Sequence, residues 1–342
     1  MKYPAILAGL ALALSGQAAA QDKEAPLFAE DAPLEVTISG PIRSIARSAE
    51  RSTDPELAML EARGESHEIE LSARGVSRRN RDTCRFPPLN VRFVEKPEND
   101  TLFDMQRRLK LVTHCRDGDR YEQFVLREYA AYRLFNVITP KSLQVRLLRV
   151  SYVDDGELVD EKYGFFIEDI DDAAKRNGGV ELDVESVPSR TFDHDDAARY
   201  SLFQYMIGNL DWAMTAGPDG NDCCHNSKIL GASQEARESL TPVPYDFDFS
   251  GLVDTPYSTP PESIPVRNVT QRYYRGFCRH NDAVLRIAPE FLAARSALEA
   301  EIRTIPGTTQ STVDDMIDFL GDFFDDIANP SEIQDELLDD CR

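Results

Sequence analysis

In the first half of this 342-residue chain apolar residues recur at every second position, and in the second half they recur at helical spacing. Alternation marks strand candidates at Leu34–Ser39 and over 67–73, 89–93, 108–114, 143–153 and 163–169. The Asp154-Asp155-Gly156 turn joins the last two as a hairpin. A short helix is predicted over 55–62, behind the Ser52-Thr53-Asp54 start signal, and a long one over 121–137. Further helical patterns begin at Asp171 and cover 193–208, 288–305 and 312–328. Between them 178–190 is a polar connection. The division predicts an α+β chain with a strand-rich N-lobe over 34–180 and a helical C-lobe over 181–342.

Three bulk properties bound the surroundings. Residues 1–20 place one lysine before an apolar run and end on Ala18-Ala19-Ala20, the pattern of a secretory signal peptide cut after Ala20. Residues 21–33 follow as a loose acidic start, and no later stretch is apolar and long enough for a membrane span. The expected location is the periplasm or the extracellular space. A formal net charge of −22 repels phosphate backbones and argues against nucleic acid as a partner. Six cysteines in an exported chain point to disulfides, since none has the spacing of a zinc site. Cys84 and Cys115 flank successive strand candidates and form the expected pair. Cys223 and Cys224 are adjacent, and each is expected to reach a distant partner.

The chemistry-bearing residues concentrate over 203–253. IGNLDW at 207–212 follows a helix, so Asp211 emerges on a loop where a carboxylate can orient a hydroxyl nucleophile or take its proton. Asn226 lies beyond a Gly/Pro/Asp loop and offers a carbonyl oxygen to a hard cation. Asp246 and Asp248 in PYDFDFSG sit in an apolar surround where carboxylates need a cation. Oxygen ligands of this kind suit Mg²⁺. PDGND at 218–222 lacks the register of a calcium loop and reads as an exposed turn, and His225 reads as structural or phosphate-proximal.

The other half supplies candidate partners. Arg74, Gly75, Ser77 and Arg78 form a turn that can wrap a phosphate with backbone amides and guanidinium forks. Lys110 lies amid an alternating apolar run, and Glu128, on a helix face, is its expected salt-bridge companion; such a pair holds the α- and β-phosphates in kinases. The strand end over 166–169, Glu168 included, would meet an adenine with backbone hydrogen bonds. The aromatic and basic run VTQRYYRGFC at 269–278 is a candidate contact for a phosphate or an acidic neighbour. The chain has no G-x-S-x-G, Walker A or G-x-G-x-x-G motif, which leaves hydrolase-elbow, P-loop and Rossmann readings without support.

Taken in order, the Arg74 loop, the Lys110 strand, the Glu128 helix, the 165–169 strand end, IGNLDW, CCHN and PYDFDFSG resemble the atypical kinase family of spore-coat protein H (CotH), and more distantly HipA-type kinases. The resemblance covers roughly 67–255, and the last three motifs are its most specific part. It implies a two-lobed protein-kinase-like fold. It further implies ATP with Mg²⁺ or Mn²⁺ as cofactors, with Asp211 as catalytic acid-base residue, Asn226 as metal ligand, and Asp246 or Asp248 as the metal-binding acid. The implied activity is γ-phosphoryl transfer to a protein Ser/Thr hydroxyl or another secreted acceptor. The alternative is a catalytically silent, kinase-shaped binding protein.

Overall fold

The structure is a computed structural model that describes residues 25–218 and 223–342. Residues 1–24, which carry the expected signal peptide, and Asp219, Gly220, Asn221 and Asp222 of the PDGND turn lie outside the described residues. Seven strands carry the first half: β1 (Leu34–Ser39), β2 (Glu56–Ala62), β3 (Glu65–Ala73), β4 (Leu89–Phe93), β5 (Arg108–Val112), β6 (Val145–Asp154) and β7 (Glu157–Ile167). They close into a barrel in the order β1-β2-β3-β4-β5-β7-β6.

That closure corrects the expected two-lobed protein-kinase-like fold. The pairing responsible is parallel, running from Leu34 opposite Leu148 to Ser39 opposite Val153, while every other neighbouring pair in the barrel is antiparallel. Alternation identifies a strand and its buried face but carries no information about a partner so far along the chain. The segment over 55–62 is also corrected, from helix to strand. Its residues Ala58, Leu60 and Ala62 are buried at alternate positions between β1 and β3, and that packing outweighs its helix-favouring composition. Leu27 and Phe28, within the start expected to be loose, are buried in the barrel core beside Leu34, Leu60 and Leu148.

Among the described residues seven helices flank and follow the barrel. The short α1 (Ile42–Ser48) follows β1, and α2 (Asp119–Ile138) packs against β7 with Tyr129 and Tyr132 set edge-on to Phe165. After α3 (Ile170–Arg176) come α4 (His194–Met206) and a small sheet of β8 (Val180–Glu181), β9 (Ser227–Gly231) and β10 (Thr241–Pro244), in the order β10-β9-β8. The chain finishes with α5 (Asn281–Thr304), α6 (Gln310–Asp326) and α7 (Pro330–Glu336). Among the described residues no helix is long and apolar enough to cross a membrane.

Three disulfides tie the described chain, as expected of an oxidising compartment. Cys84 pairs with Cys115, as the sequence suggests, and Cys278 pairs with Cys341. Cys223 and Cys224, expected to part, are bonded to each other across a cis peptide that brings their Cα atoms to 3.0 Å.

Candidate functional site

Two glycine-containing motifs are sewn together beneath the site. Gly208 takes a left-handed φ of +61° just past α4, and its carbonyl accepts a hydrogen bond from the Gly251 amide at 3.1 Å. A Cβ on Gly251 would come within 2.5 Å of the Val269 carbonyl, so the close approach admits glycine there. IGNLDW and PYDFDFSG therefore meet although a loop and a hairpin separate them in sequence. Asn209 then turns the chain: its Oδ1 accepts from the Asp211 amide at 3.0 Å, and Trp212 Nε1 donates to its carbonyl at 2.9 Å.

Asp211 gathers two neighbours. Its Oδ1 lies 2.7 Å from His225 Nε2, and Asn226 Nδ2 donates to its Oδ2 at 3.1 Å and to its backbone carbonyl at 2.7 Å. The bond to Asp211 raises the His225 pKa above its ordinary value. Asn226 spends its amide nitrogen on Asp211, which leaves the side-chain oxygen as the atom it could offer a cation. The β9–β10 hairpin brings this residue next to Asp246: Ser227 pairs with Pro244, and the Tyr245 amide donates to the Asn226 carbonyl at 3.2 Å. Asn226 and Asp246 both hold positive φ, +49° and +62°, a region Asn and Asp enter more readily than most residues.

The second cluster is centred on Arg78. Its Nη1 lies 3.2 Å from Glu128, its Nη2 2.7 Å from Asp246 and its Nε 3.2 Å from Asp248. Each carboxylate is delivered by a packed element. Glu128 comes from the buried face of α2. Asp246 and Asp248 flank Phe247, whose ring is wedged between Tyr132 at 4.5 Å and Phe203 at 5.5 Å. Tyr132 also fixes the backbone, its hydroxyl accepting from the Asp246 amide at 2.9 Å, and Tyr257 donates to Asp248 at 3.1 Å. Burial, with Asp246 and Glu128 adding to it, pushes the Asp248 carboxyl up to about 8. The positive neighbours Arg78, Arg74 and Lys110 hold Asp246 below the ordinary carboxylate range against its burial.

Lys110 does not take the Glu128 carboxylate as expected, because Arg78 is there. Its Nζ lies 5.0 Å from the Tyr245 ring centroid, and burial lowers its pKa to about 8, with Arg74 adding to the effect. Leu109 and Leu111 on either side of it are buried in the barrel core, so Lys110 faces outward and lines a cavity of about 530 Å³. Arg92, Asp169, Glu181 and Lys228 also line that cavity. Arg74 stands near the acids with Nε and Nη2 buried and unbonded. Gly75 and Ser77 are exposed on the same turn.

The Glu168 side chain is held by Arg176 at 2.8 and 3.1 Å and by the Gln144 amide at 2.9 Å, while Ile167 and Asp169 on either side of it line the cavity. In the run at 269–278, Arg272 has the acidic neighbour Asp322 at 3.9 Å, and the arginines also reach backbone carbonyls. Arg275 donates to the carbonyls of Leu210 and Trp212 at 2.5 and 2.8 Å, and Arg272 donates to that of Tyr205 at 3.1 Å, which braces the Asp211 loop from below. The Asp211–His225 contact and the threefold grip of Arg78 are not evident in the sequence. The one sequence hint to the second was an arginine-bearing turn directly after an alternating strand, in a chain with 60 acidic residues.

No protein-family model matches the chain, and no curated protein matches it. Among solved structures it is similar to the proinflammatory kinase CtkA of Helicobacter pylori, at 12% identity over 83% of this chain and 93% of that one, with a TM-score of 0.37. The neighbour is a kinase and does not single out the spore-coat protein H family. At that score the reading of the site rests on the residues themselves.

Proposed function

We propose that the protein is an exported phosphotransferase that moves the γ-phosphoryl group of a nucleotide triphosphate, ATP in the first instance, to a hydroxyl of a secreted protein or smaller acceptor. The observation that carries this reading is the adjacency, through one hairpin, of the Asp211–His225–Asn226 group and the Glu128–Asp246–Asp248 cluster. Phosphoryl transfer needs little covalent chemistry from the protein; it needs a positioned nucleophile, compensated phosphate charge and excluded water.

The residues divide those tasks. Asp211, half-exposed and oriented by His225 and Asn226, would align the acceptor hydroxyl and take its proton. Asn226, Asp246 and Asp248 would hold Mg²⁺ or Mn²⁺, and their all-oxygen donor set, together with the unbonded buried Oε1 of Glu128, fits such an ion. When bound, that ion supplies charge neutralisation at the phosphates. Arg74 has two unbonded guanidinium nitrogens for phosphate oxygens, and Lys110 adds a third donor facing the cavity. The cavity is within the roughly 300–1,000 Å³ of small-molecule sites. Three disulfides and the expected leader support export.

Incubation of the purified protein with γ-labelled ATP and Mg²⁺ or Mn²⁺ tests this directly. Label is expected in the protein itself or in an added Ser/Thr substrate, and Asp211→Ala is expected to abolish transfer while nucleotide still raises the melting temperature. No melting shift in the wild type at millimolar ATP with either metal would sink the reading. A second reading, a silent binding protein, is favoured by Arg78 standing among the acids, and label incorporation excludes it.

A further inference from the structure

Arg78 holds three carboxylates with three different nitrogens while only 6% of its side chain is exposed. The count of charge is uneven, with three acids drawn to one guanidinium at contact distance. One oxygen of Glu128 is left buried without any partner. Ligand oxygens of Glu128, Asp246 and Asp248 all lie within 4.8 Å of one another. Oxygens on a Mg²⁺ ion at about 2.1 Å stand roughly 3 to 4.2 Å apart, so a small inward movement would complete a cation shell. The guanidinium therefore stands where a hard cation would stand.

The turn carrying it has few outside fastenings of its own, between ends pinned by the Arg74 amide on the Pro88 carbonyl at 2.9 Å and by the Cys84–Cys115 disulfide. Arg78 sits on a short 3-10 turn, Ser77–Arg79, preceded by Gly75 at φ +84° and by Val76, which is 85% exposed. Apart from the guanidinium, the turn is fastened by its own short-range bonds and by Arg79, which reaches the Ala49 carbonyl at 3.4 Å. The unbonded Arg74 nitrogens mark where anionic oxygens could be met nearby.

We propose that Arg78 is a resident counterion which a divalent cation displaces, with Glu128 joining Asp246 and Asp248 as a ligand, and that the freed guanidinium turns to the phosphates beside Arg74. The exchange itself stands on the acid cluster, whereas the final move to phosphate rests on the phosphotransferase reading. Loading of the cation and ordering of the phosphate-binding turn then become one event. In the ion-free protein the turn neutralises the acids, and in the loaded protein it is released to the nucleotide.

The test uses Mn²⁺ alone, followed by its paramagnetic resonance, without nucleotide. Arg78→Met is expected to bind Mn²⁺ at least about tenfold more tightly than the wild type, because the competitor is gone, and Glu128→Gln is expected to bind at least about tenfold more weakly. Equal affinity in the wild type and Arg78→Met overturns the exchange, and unchanged affinity in Glu128→Gln overturns the ligand assignment. Should Arg78→Met fold poorly, its melting temperature in chelator and in Mn²⁺ decides. A rescue by Mn²⁺ larger than the wild-type shift supports exchange, and an equal shift refutes it. In the wild type, Mn²⁺ is expected to speed tryptic cutting after Arg78, and no change refutes release. These outcomes are independent of labelled-phosphate transfer, so exchange can fail while the transferase reading stands, and the reverse.

Discussion

Arg78, Glu128 and Asp248 leave 6%, 3% and 4% of their side chains in water, whereas Asp211 and His225 leave 31% and 36%, and Asp246, the third acid on Arg78, leaves 34% and belongs to both settings. The first group comes from three separate elements and is locked by Phe247, Tyr132 and Tyr257. The second hangs on one loop, braced from beneath by Arg275. Burial makes the first group's charges matter to the fold, because a charge deprived of its partner there has no water to turn to. Exposure makes the second group's charges matter to whatever arrives from solution. The contrast separates a part of the site that stores electrostatic tension from a part that meets substrate.

Substitutions can break that contrast, beginning with the largest expected effect. Asp211→Asn should lower labelled-phosphate transfer by about 10²- to 10⁴-fold, the usual worth of a positioned base. It should move stability by less than about 1 kcal/mol, as for other exposed pairs, in a urea titration. Arg78→Ala should show the opposite balance in stability, losing about 3–5 kcal/mol in the same titration without added metal. A loss below about 1 kcal/mol would mean that the buried group is not under tension and would erase the distinction. His225→Gln should reduce transfer about two- to tenfold, the worth of one orienting hydrogen bond, mainly in kcat and little in KM.

The smallest effect uses a histidine remote from both groups. His280 is buried, its Nδ1 is 3.2 Å from His194 Nδ1, and burial with the neighbouring His194 lowers its pKa to about 4. A depressed histidine contributes stability that is present above pH 6.5 and lost as pH falls towards 4. The wild type should therefore lose melting temperature over that interval more steeply than His280→Gln. If the slopes coincide, the acid response belongs to carboxylates, and the Arg78 group becomes the first place to look.

Much of this architecture can be read in the sequence, because local patterns carry it. Six alternating segments became barrel strands, and the 121–137 and 193–208 periodicities became α2 and α4. The segment at 55–62 could not be read, since its strand state depends on neighbours on both sides. Nor could the closure of the barrel, which depends on residues distant in the chain. For the site, Asp211, Asn226, Asp246 and Asp248 announced themselves as acids and an amide among apolar runs. Which cation Glu128 faces was not legible, because a helix face fixes a direction and not a partner. Arg78 rather than Lys110 takes that place, its Nη1 3.2 Å from Glu128.

The parallel pairing of β1 with β6 also sets an order of events for a chain being made. Strands β2, β3, β4 and β5 can zip to near neighbours as soon as they appear. Leu34, by contrast, waits for Leu148, and until then β1 has only β2 beside it and one open edge. Closing such a long loop is slow compared with forming hairpins, and open strand edges invite other chains. The interval between synthesis of β1 and arrival of β6 is thus when the nascent protein is most exposed to misassociation, and a chaperone that holds extended segments would find its target there.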